Sequence, residues 1–162
     1  MSVTDELLQN AKHYAQGFDK GELPLPPGGK VAVVACMDAR LNVHTLLGIE
    51  EGDAHVIRNA GGVVTDDEIR SLAISQRKLG TREIVVIHHT ECGMLTFTDD
   101  ELRDSLQIET GMKPMWSPES FKDLEPAVRN SMSRIRNSPF IPHREVRGFV
   151  FDVDSGRLHE VR

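Results

Sequence analysis

The sequence predicts an α/β domain with an open, mostly parallel central sheet flanked by helices and a β-hairpin at the C-terminal end. Residues 31–35 (VAVVA) and 83–87 (EIVVI) are short, nearly continuous apolar runs, typical of strands buried on both faces of a parallel sheet. Segments with helical spacing alternate with these runs, which favours an α/β architecture. In the tail, residues 145–161 have the pattern of two strands joined by Asp154, Ser155 and Gly156.

The first 29 residues are expected to precede the core. Residues 1–22 predict a short helix that continues into an arm, and residues 23–29 (LPLPPGG) are too rich in proline and glycine to continue a helix. We therefore divide the chain into an N-terminal helix and arm, 1–29, and an α/β domain that carries the candidate site, 30–162. Together they are expected to form a single domain.

Capping residues predict two helices of the core. Thr65 and Glu68 have the spacing of a capping box, and Gly80 is placed to end the helix that follows. Thr98 and Glu101 repeat this spacing before a second, shorter helix.

The remaining core elements have weaker signals. Residues 54–58 are a strand candidate that leads into the paired glycines Gly61 and Gly62, where a tight turn or a close approach to a ligand is possible. A longer helix is predicted to start near Pro118 and to end before Pro139. Its apolar stripe consists of Phe121, Leu124, Val128, Met132 and Ile135.

Composition excludes several classes of function. The chain has 162 residues and a net charge of −6, and its Lys and Arg residues are scattered, so a nucleic-acid partner is not expected. No apolar run approaches the roughly 20 residues that span a bilayer, so no membrane association is expected. The N-terminus lacks the pattern of a signal peptide, and we expect a cytoplasmic protein, in which the two cysteines stay free of a structural disulfide.

Both cysteines lie just beyond the carboxyl ends of predicted strands, where open α/β sheets bind their ligands. His89 and Cys92 can face one metal ion from a single turn, and Cys36 can approach it from a neighbouring strand. Two thiolates and an imidazole suit zinc, and three protein ligands leave a position open, as in catalytic zinc sites. His88 is a candidate fourth ligand, but consecutive residues at a strand end point to opposite faces.

Asp38 and Arg40 make the metal site a candidate for catalysis. In an extended chain, the side chains of residues 36, 38 and 40 project from the same face. A carboxylate beside the metal could accept a hydrogen bond from a coordinated water molecule, and the guanidinium could keep that carboxylate ionised and oriented. The alternative is that Asp38 caps the following helix and Arg40 is a solvated charge.

At these positions the sequence resembles the β-class carbonic anhydrases, whose pattern is C-x-D-x-R followed about fifty residues later by H-x-x-C-G. The pattern is met by Cys36, Asp38, Arg40, His89, Cys92 and Gly93. The resemblance implies one zinc ion per chain, held by the two cysteines and His89, with Asp38 and Arg40 as the catalytic pair. It also implies that Asp38 becomes a fourth ligand in a closed, inactive state.

The resemblance further implies a reversible hydration of carbon dioxide to bicarbonate and a proton by a hydroxide on zinc, in an obligate dimer or a higher oligomer. Because two thiolates donate charge to the ion, activity is predicted to rise toward alkaline pH. Backbone N–H groups near Gly61 are expected to contact the substrate, and His44 and His55 are candidates for carrying the proton outward. More often, such histidines are simply solvated or packed.

Three positions depart from the family pattern. Val33 stands where the bicarbonate-inhibited subgroup has Trp, His88 stands where Gly is common before the histidine ligand, and Met94 follows Gly93 where a second Gly is common. The sequence also resembles the branch of the family that hydrolyses carbonyl sulfide or carbon disulfide on the same zinc site. These substrates are linear and apolar like carbon dioxide.

Three other functions remain open from the residues alone. The first is a non-catalytic zinc module, in which Asp38 or His88 completes the ligand set. The second is a thiol sensor that uses Cys36 or Cys92, although it leaves Asp38 and Arg40 unexplained. The third, nucleotide binding at the paired glycines, lacks a full G-x-G-x-x-G motif.

Overall fold

A computed structural model describes residues 2–162, so that Met1 lies outside the described residues. The strands are β1 (Val31–Cys36), β2 (Ala54–Asn59), β3 (Glu83–His89), β4 (Glu145–Phe151) and β5 (Leu158–Val161). The helices are α1 (Val3–Gln16), α2 (Val43–Leu47), α3 (Asp66–Leu79), α4 (Asp99–Thr110) and α5 (Leu124–Asn137). Short 3₁₀ turns follow β2 and β3 at Ala60–Gly62 and Gly93–Leu95.

The strands form one five-stranded sheet. Its strand order is β2-β1-β3-β4-β5, in which the first four strands are parallel and β5 is antiparallel to β4. The predicted α/β class, the mostly parallel sheet and the C-terminal hairpin are confirmed. The division at residue 29 stays a prediction.

Two apolar layers enclose the sheet. On one face, α3 and α5 pack against strand residues such as Val34 and Val86, both of which are fully buried. On the other face, β1 and β3 pack against α2 and the turn after β3 through side chains that include Val33 and Ile87. Neighbouring positions along one strand therefore serve opposite layers, as the pleat of a strand requires.

The capping residues act as predicted in α3 and α4. Thr65 and Glu68 form a reciprocal capping box, and Gly80 ends α3 in the left-handed conformation. Thr98 and Glu101 form the second box at the start of α4. Each pair satisfies backbone N–H groups that the first turn of a helix leaves without partners.

The structure corrects the predicted start of α5. The helix begins at Leu124, after Asp123, and not near Pro118. Phe121 therefore lies in the preceding loop, where its ring packs 5.3 Å from the ring of His88. The structure also contains α2, a five-residue helix that sequence periodicity did not predict.

Helix α1 buries none of its side chains against the rest of the chain. It is tied to the core at its C-terminal end, where Tyr14 in the helix and Lys20 in the segment that follows both hydrogen bond to Glu51 in the turn before β2. Across residues 2–162, no helix combines the length and the apolar character that crossing a membrane requires.

Candidate metal centre

The sheet brings three potential metal ligands together. Cys36 is the last residue of β1 and His89 is the last residue of β3, and these parallel strands are direct neighbours. Cys92 follows in the turn after β3. The two sulfurs and a ring nitrogen of His89 all lie within 4.8 Å of one another, and all three residues are buried.

The geometry of this group fits zinc. The Nδ1 atom of His89 lies 2.7 Å from the carbonyl oxygen of Thr90, to which it can only donate, so the neutral ring presents the lone pair of Nε2 to the group. Nε2 has no hydrogen-bond partner among the described residues, although it is buried. The two sulfurs are 3.9 Å apart, close to the roughly 3.8 Å expected for two thiolates on a tetrahedral zinc ion.

The two thiols are hydrogen bonded to each other. A hydrogen bond from Cys92 lowers the pKa of the Cys36 thiol to about 4, and the same contact raises the pKa of Cys92. A cation bound between the two sulfurs would displace their protons, because the thiolate and not the thiol is the metal ligand.

Asp38 lies beside the group and is fixed by Arg40. The guanidinium of Arg40 donates from Nε to Oδ1 and from Nη2 to Oδ2, both at 3.0 Å, and the backbone N–H of Arg40 donates to Oδ1 at 2.9 Å. These bonds hold the pKa of Asp38 well below its usual range. Oδ2 lies 3.6 Å from Nε2 of His89, and Asp38 is not part of the three-residue group.

Two further residues that the sequence did not indicate hold these loops. Arg58 on β2 donates to the carbonyl oxygens of Cys36 and Asp38, at 2.6–2.9 Å. Glu91 accepts a hydrogen bond from Nη1 of Arg40, whereas Asp38 accepts from Nε and Nη2 of the same guanidinium. The partners of Arg58 and Glu91 are 20 to 51 residues away along the chain, so no local sequence pattern predicts these contacts.

The paired glycines allow the backbone to approach the metal group. A Cβ atom on Gly62 would lie 2.7 Å from both the nitrogen of Cys36 and the carbonyl oxygen of Ile87, and the φ angle of Gly62 is 68°. Only glycine fits such a position without strain. Gly61 lines the same cleft as the three candidate ligands.

This cleft has a volume of about 600 Å³ and mostly apolar walls. Asp38 is its one carboxylate among the described lining residues. The larger apolar side chains are Met37, Met94, Phe97, Leu102 and Trp116. The site therefore accommodates a small uncharged molecule beside one fixed negative charge.

The other histidines named from the sequence lie outside the group. Burial lowers the pKa of His88 to about 4, and both of its ring nitrogens lack hydrogen-bond partners among the described residues. His44 is exposed on α2 and does not line the cleft. His55 is aligned with Ala32, four positions or about 13 Å before Cys36, and contacts Ser75.

Comparisons with known proteins agree with this arrangement. A family model described as carbonic anhydrase matches residues 31–158. The chain is 62% identical over 162 residues to beta-carbonic anhydrase 1 of Mycobacterium tuberculosis, with 99% of each chain covered. It is 34% identical over 180 residues to a carbon disulfide hydrolase of Acidithiobacillus thiooxidans, with 98% of this chain and 90% of that protein covered.

The fold has a close match among solved structures. The crystal structure of carbonic anhydrase from Streptococcus mutans aligns with a TM-score of 0.93 and 44% sequence identity, covering 100% of this chain and 99% of that one. The family match, the relatives and the buried Cys-His-Cys group lead to the same conclusion: the chain belongs to the β-carbonic anhydrase family.

Proposed function

We propose that the protein is a zinc-dependent carbonic anhydrase that converts carbon dioxide and water reversibly to bicarbonate and a proton. The observation that carries the proposal is the carboxylate of Asp38, fixed by Arg40 at 3.6 Å from the free nitrogen of His89. A purely structural zinc site has no need of an oriented carboxylate beside its ligands.

The proposed ligands are Cys36, His89 and Cys92. Bound there, zinc supplies a Lewis acid that lowers the pKa of a coordinated water molecule toward neutrality. We propose Asp38 as a conditional fourth ligand as well, because its Oδ2 atom is close enough to reach the group after a small rotation.

Asp38 and Arg40 are proposed to act as a pair. Oδ2 of Asp38 receives one hydrogen bond from Arg40, which leaves a lone pair free to accept a hydrogen from the attacking water molecule and to orient its nucleophilic lone pair. Arg40 keeps the carboxylate ionised and restrains its orientation. The N–H groups near Gly61 are proposed to hold a substrate oxygen.

A second candidate activity is hydrolysis of carbon disulfide or carbonyl sulfide to hydrogen sulfide. The apolar walls of the cleft favour it, because Met37, Met94 and Phe97 suit a soft, sulfur-containing substrate as well as carbon dioxide. The similarity to carbon disulfide hydrolase over nearly the whole chain supports the same possibility. A non-catalytic zinc module is the remaining alternative.

We further propose a homodimer or higher homo-oligomer. The exposed apolar side chains of α1 support it, since Val3, Leu7 and Leu8 are 76%, 60% and 57% exposed in one chain. A cytoplasmic location is proposed because both cysteines are free and would serve as metal ligands in their reduced form.

One experiment separates these candidates. Elemental analysis of the purified protein is combined with stopped-flow hydration of carbon dioxide and with a sulfide-release assay on carbonyl sulfide and carbon disulfide. The proposal predicts one zinc per chain and faster turnover of carbon dioxide, and Cys36→Ser is expected to lose both zinc and activity. One zinc per chain with no turnover of any of these substrates would support the non-catalytic module instead.

A further inference from the structure

Arg40 is shared by two carboxylates. Besides its contacts with Asp38, its Nη1 atom donates to Oε2 of Glu91 at 3.0 Å, and its Nη2 atom donates to the backbone carbonyl oxygen of Glu91 at 3.2 Å. The guanidinium therefore joins the loop after β1 to the turn after β3, the two segments that carry the three proposed ligands.

The backbone at Glu91 is unusual for a residue with a side chain. Its φ angle is 54°, in the left-handed region that favours glycine, and it lies between His89 and Cys92 in sequence. The conformation costs free energy, yet with it the side chain and the carbonyl oxygen of one residue meet the same guanidinium.

The turn that carries Glu91 is anchored on its other side. The N–H of Thr90 donates to the carbonyl oxygen of Phe151 at 2.9 Å, and the hydroxyl of Thr90 accepts from the N–H of Val153 at 3.0 Å. Glu91 is thus fixed to the end of β4, and a group bound to it is restrained relative to the sheet.

Asp38 has two possible arrangements that Arg40 can separate. In the first, which the structure contains, Asp38 is paired with Arg40 beside the metal group. In the second, Asp38 leaves Arg40 and enters the group as a ligand, which requires that Arg40 releases it. A guanidinium restrained by Glu91 cannot follow the carboxylate into the group.

We propose that Glu91 is a positioning residue that holds Arg40 against the turn after β3, so that Asp38 stays paired with Arg40 and does not occupy the fourth ligand position. The inference rests on the proposed function and adds to it a residue that sets the balance between the two arrangements. Since the ion pair is exposed, its effect on this balance is a few-fold and not an all-or-none switch.

Two variants test the proposal. Glu91→Gly removes the carboxylate and keeps the backbone carbonyl, and glycine adopts the observed φ without strain, so the variant is expected to fold. Glu91→Gln keeps an oxygen that can accept from Arg40 but removes the charge. Glu125→Gln is the matched control, because Glu125 forms an ion pair with Arg129 whose side chains are 64% and 46% exposed, compared with 61% and 48% for Glu91 and Arg40.

Each variant is loaded with cobalt(II) and titrated with azide while its visible absorption is followed, and the zinc form is assayed for kcat and KM with carbon dioxide. Azide needs the fourth position, so the proposal predicts that Glu91→Gly weakens azide binding and lowers kcat by about two- to fivefold, with KM nearly unchanged. Glu91→Gln is expected to lie between Glu91→Gly and the unmodified protein, and Glu125→Gln to match the latter.

Equal azide affinity and equal kcat in Glu91→Gly and Glu125→Gln would overturn the proposal. Zinc content below one per chain in Glu91→Gly would also overturn it, since Glu91 would then serve metal retention. If the unmodified protein hydrates no carbon dioxide, the proposed function fails, but the azide titration still decides the role of Glu91.

Discussion

The carboxylate of Asp38 shows how one side chain is prepared by its surroundings. Three hydrogen bonds from Arg40 fix both of its oxygens and keep its pKa well below the usual range. The charge is therefore present throughout the pH range in which the protein would work. Oδ2 is the oxygen that lies near His89, and the carboxylate cannot rotate away from its present orientation without breaking hydrogen bonds to Arg40.

Asp38→Asn is expected to keep the fold and to lose most of the activity. The amide has no charge, and its NH₂ group cannot accept a hydrogen from water, so we expect kcat to fall roughly 100-fold or more. Stopped-flow hydration of carbon dioxide measures the loss, and elemental analysis should still find one zinc per chain. Asp67→Asn, at an exposed ion pair on α3, is the control. Unchanged turnover in Asp38→Asn would contradict the role proposed for this carboxylate.

The sequence indicated the candidate site residues because they occur in short patterns next to strand ends. These residues are Cys36, Asp38, Arg40, His89 and Cys92. The sequence did not indicate Arg58 or Glu91. Arg58 reaches Cys36 across 22 residues and Glu91 meets Arg40 across 51, so both contacts depend on the register of neighbouring strands. The spacing of residues within one segment predicts its local structure, but it does not predict which segments contact one another in the fold.

At the scale of elements, long periodic segments were predictable and short ones were not. Helix α3 has two capping residues and a stop signal, and its bounds follow from them. Helix α2 has only five residues, which is too short for a period of 3.6 to show. The predicted start of α5 was wrong. Phe121 has the spacing of the apolar stripe of this helix, but it lies in the preceding loop and packs against His88.

Gly148 on β4 lets α5 pack closely on the sheet. A Cβ atom there would lie 2.3 Å from Cγ1 of Val128 and 2.8 Å from Sδ of Met132. Gly148→Ala is therefore expected to lower the free energy of unfolding by about 1–3 kcal/mol through overpacking. Urea denaturation provides the measurement. Gly17→Ala is the control, because a Cβ atom on Gly17 would meet nothing within 4 Å, and a similar loss in both variants would show that close packing is not the cause.

Asp99 connects α4 to the loop that borders the cleft. It accepts hydrogen bonds from the N–H and the hydroxyl of Ser120 and from the hydroxyl of Ser117. Burial raises the pKa of Asp99, but the hydrogen bonds outweigh it and the pKa is lowered overall. Trp116, which lies in the same loop, lines the cleft.

The lowered pKa of Asp99 determines how this residue makes the stability of the fold depend on pH. Because the pKa is lower in the folded state, the carboxylate stabilises the fold above its unfolded pKa, and the contribution is lost as the pH falls through the folded value. Asp99→Asn should therefore unfold more readily than the unmodified protein at pH 6, and the difference in stability should shrink as the pH is lowered through the acidic range. Thermal unfolding across this range is the measurement. A stability difference that does not change with pH would contradict the ionic origin of the effect.

At the scale of the whole molecule, α1 is an amphipathic helix that buries none of its side chains, although Tyr14 near its end hydrogen bonds to Glu51. Its exposed side chains include Leu7 and Leu8. Helix propensity alone rarely stabilises a helix of this length, so its apolar side is expected to be covered in the working assembly. A second copy of the chain is the occupant proposed above.

Leu7→Ser combined with Leu8→Ser is expected to dissociate the proposed oligomer. The two serines remove apolar area from the contact and leave the sheet unchanged, so sedimentation velocity should find a smaller species with the same sheet content by circular dichroism. Ile108→Ser is the control, since Ile108 is 85% exposed on α4. An oligomer that survives the double substitution would exclude α1 as its main contact.

The position of the three proposed ligands, at the end of β1, at the end of β3 and in the turn after β3, also has a kinetic consequence. Between Cys36 and Cys92 the chain forms α2, β2 and α3, and β1 pairs with β3 only when this long crossover has closed. Strands that are far apart in sequence pair late in folding, because the entropic cost of closing the loop comes before the stabilising contacts between the strands form. The proposed zinc-binding group is therefore complete only after the crossover closes. The rate at which the absorption of bound cobalt(II) appears during refolding would measure when the crossover closes.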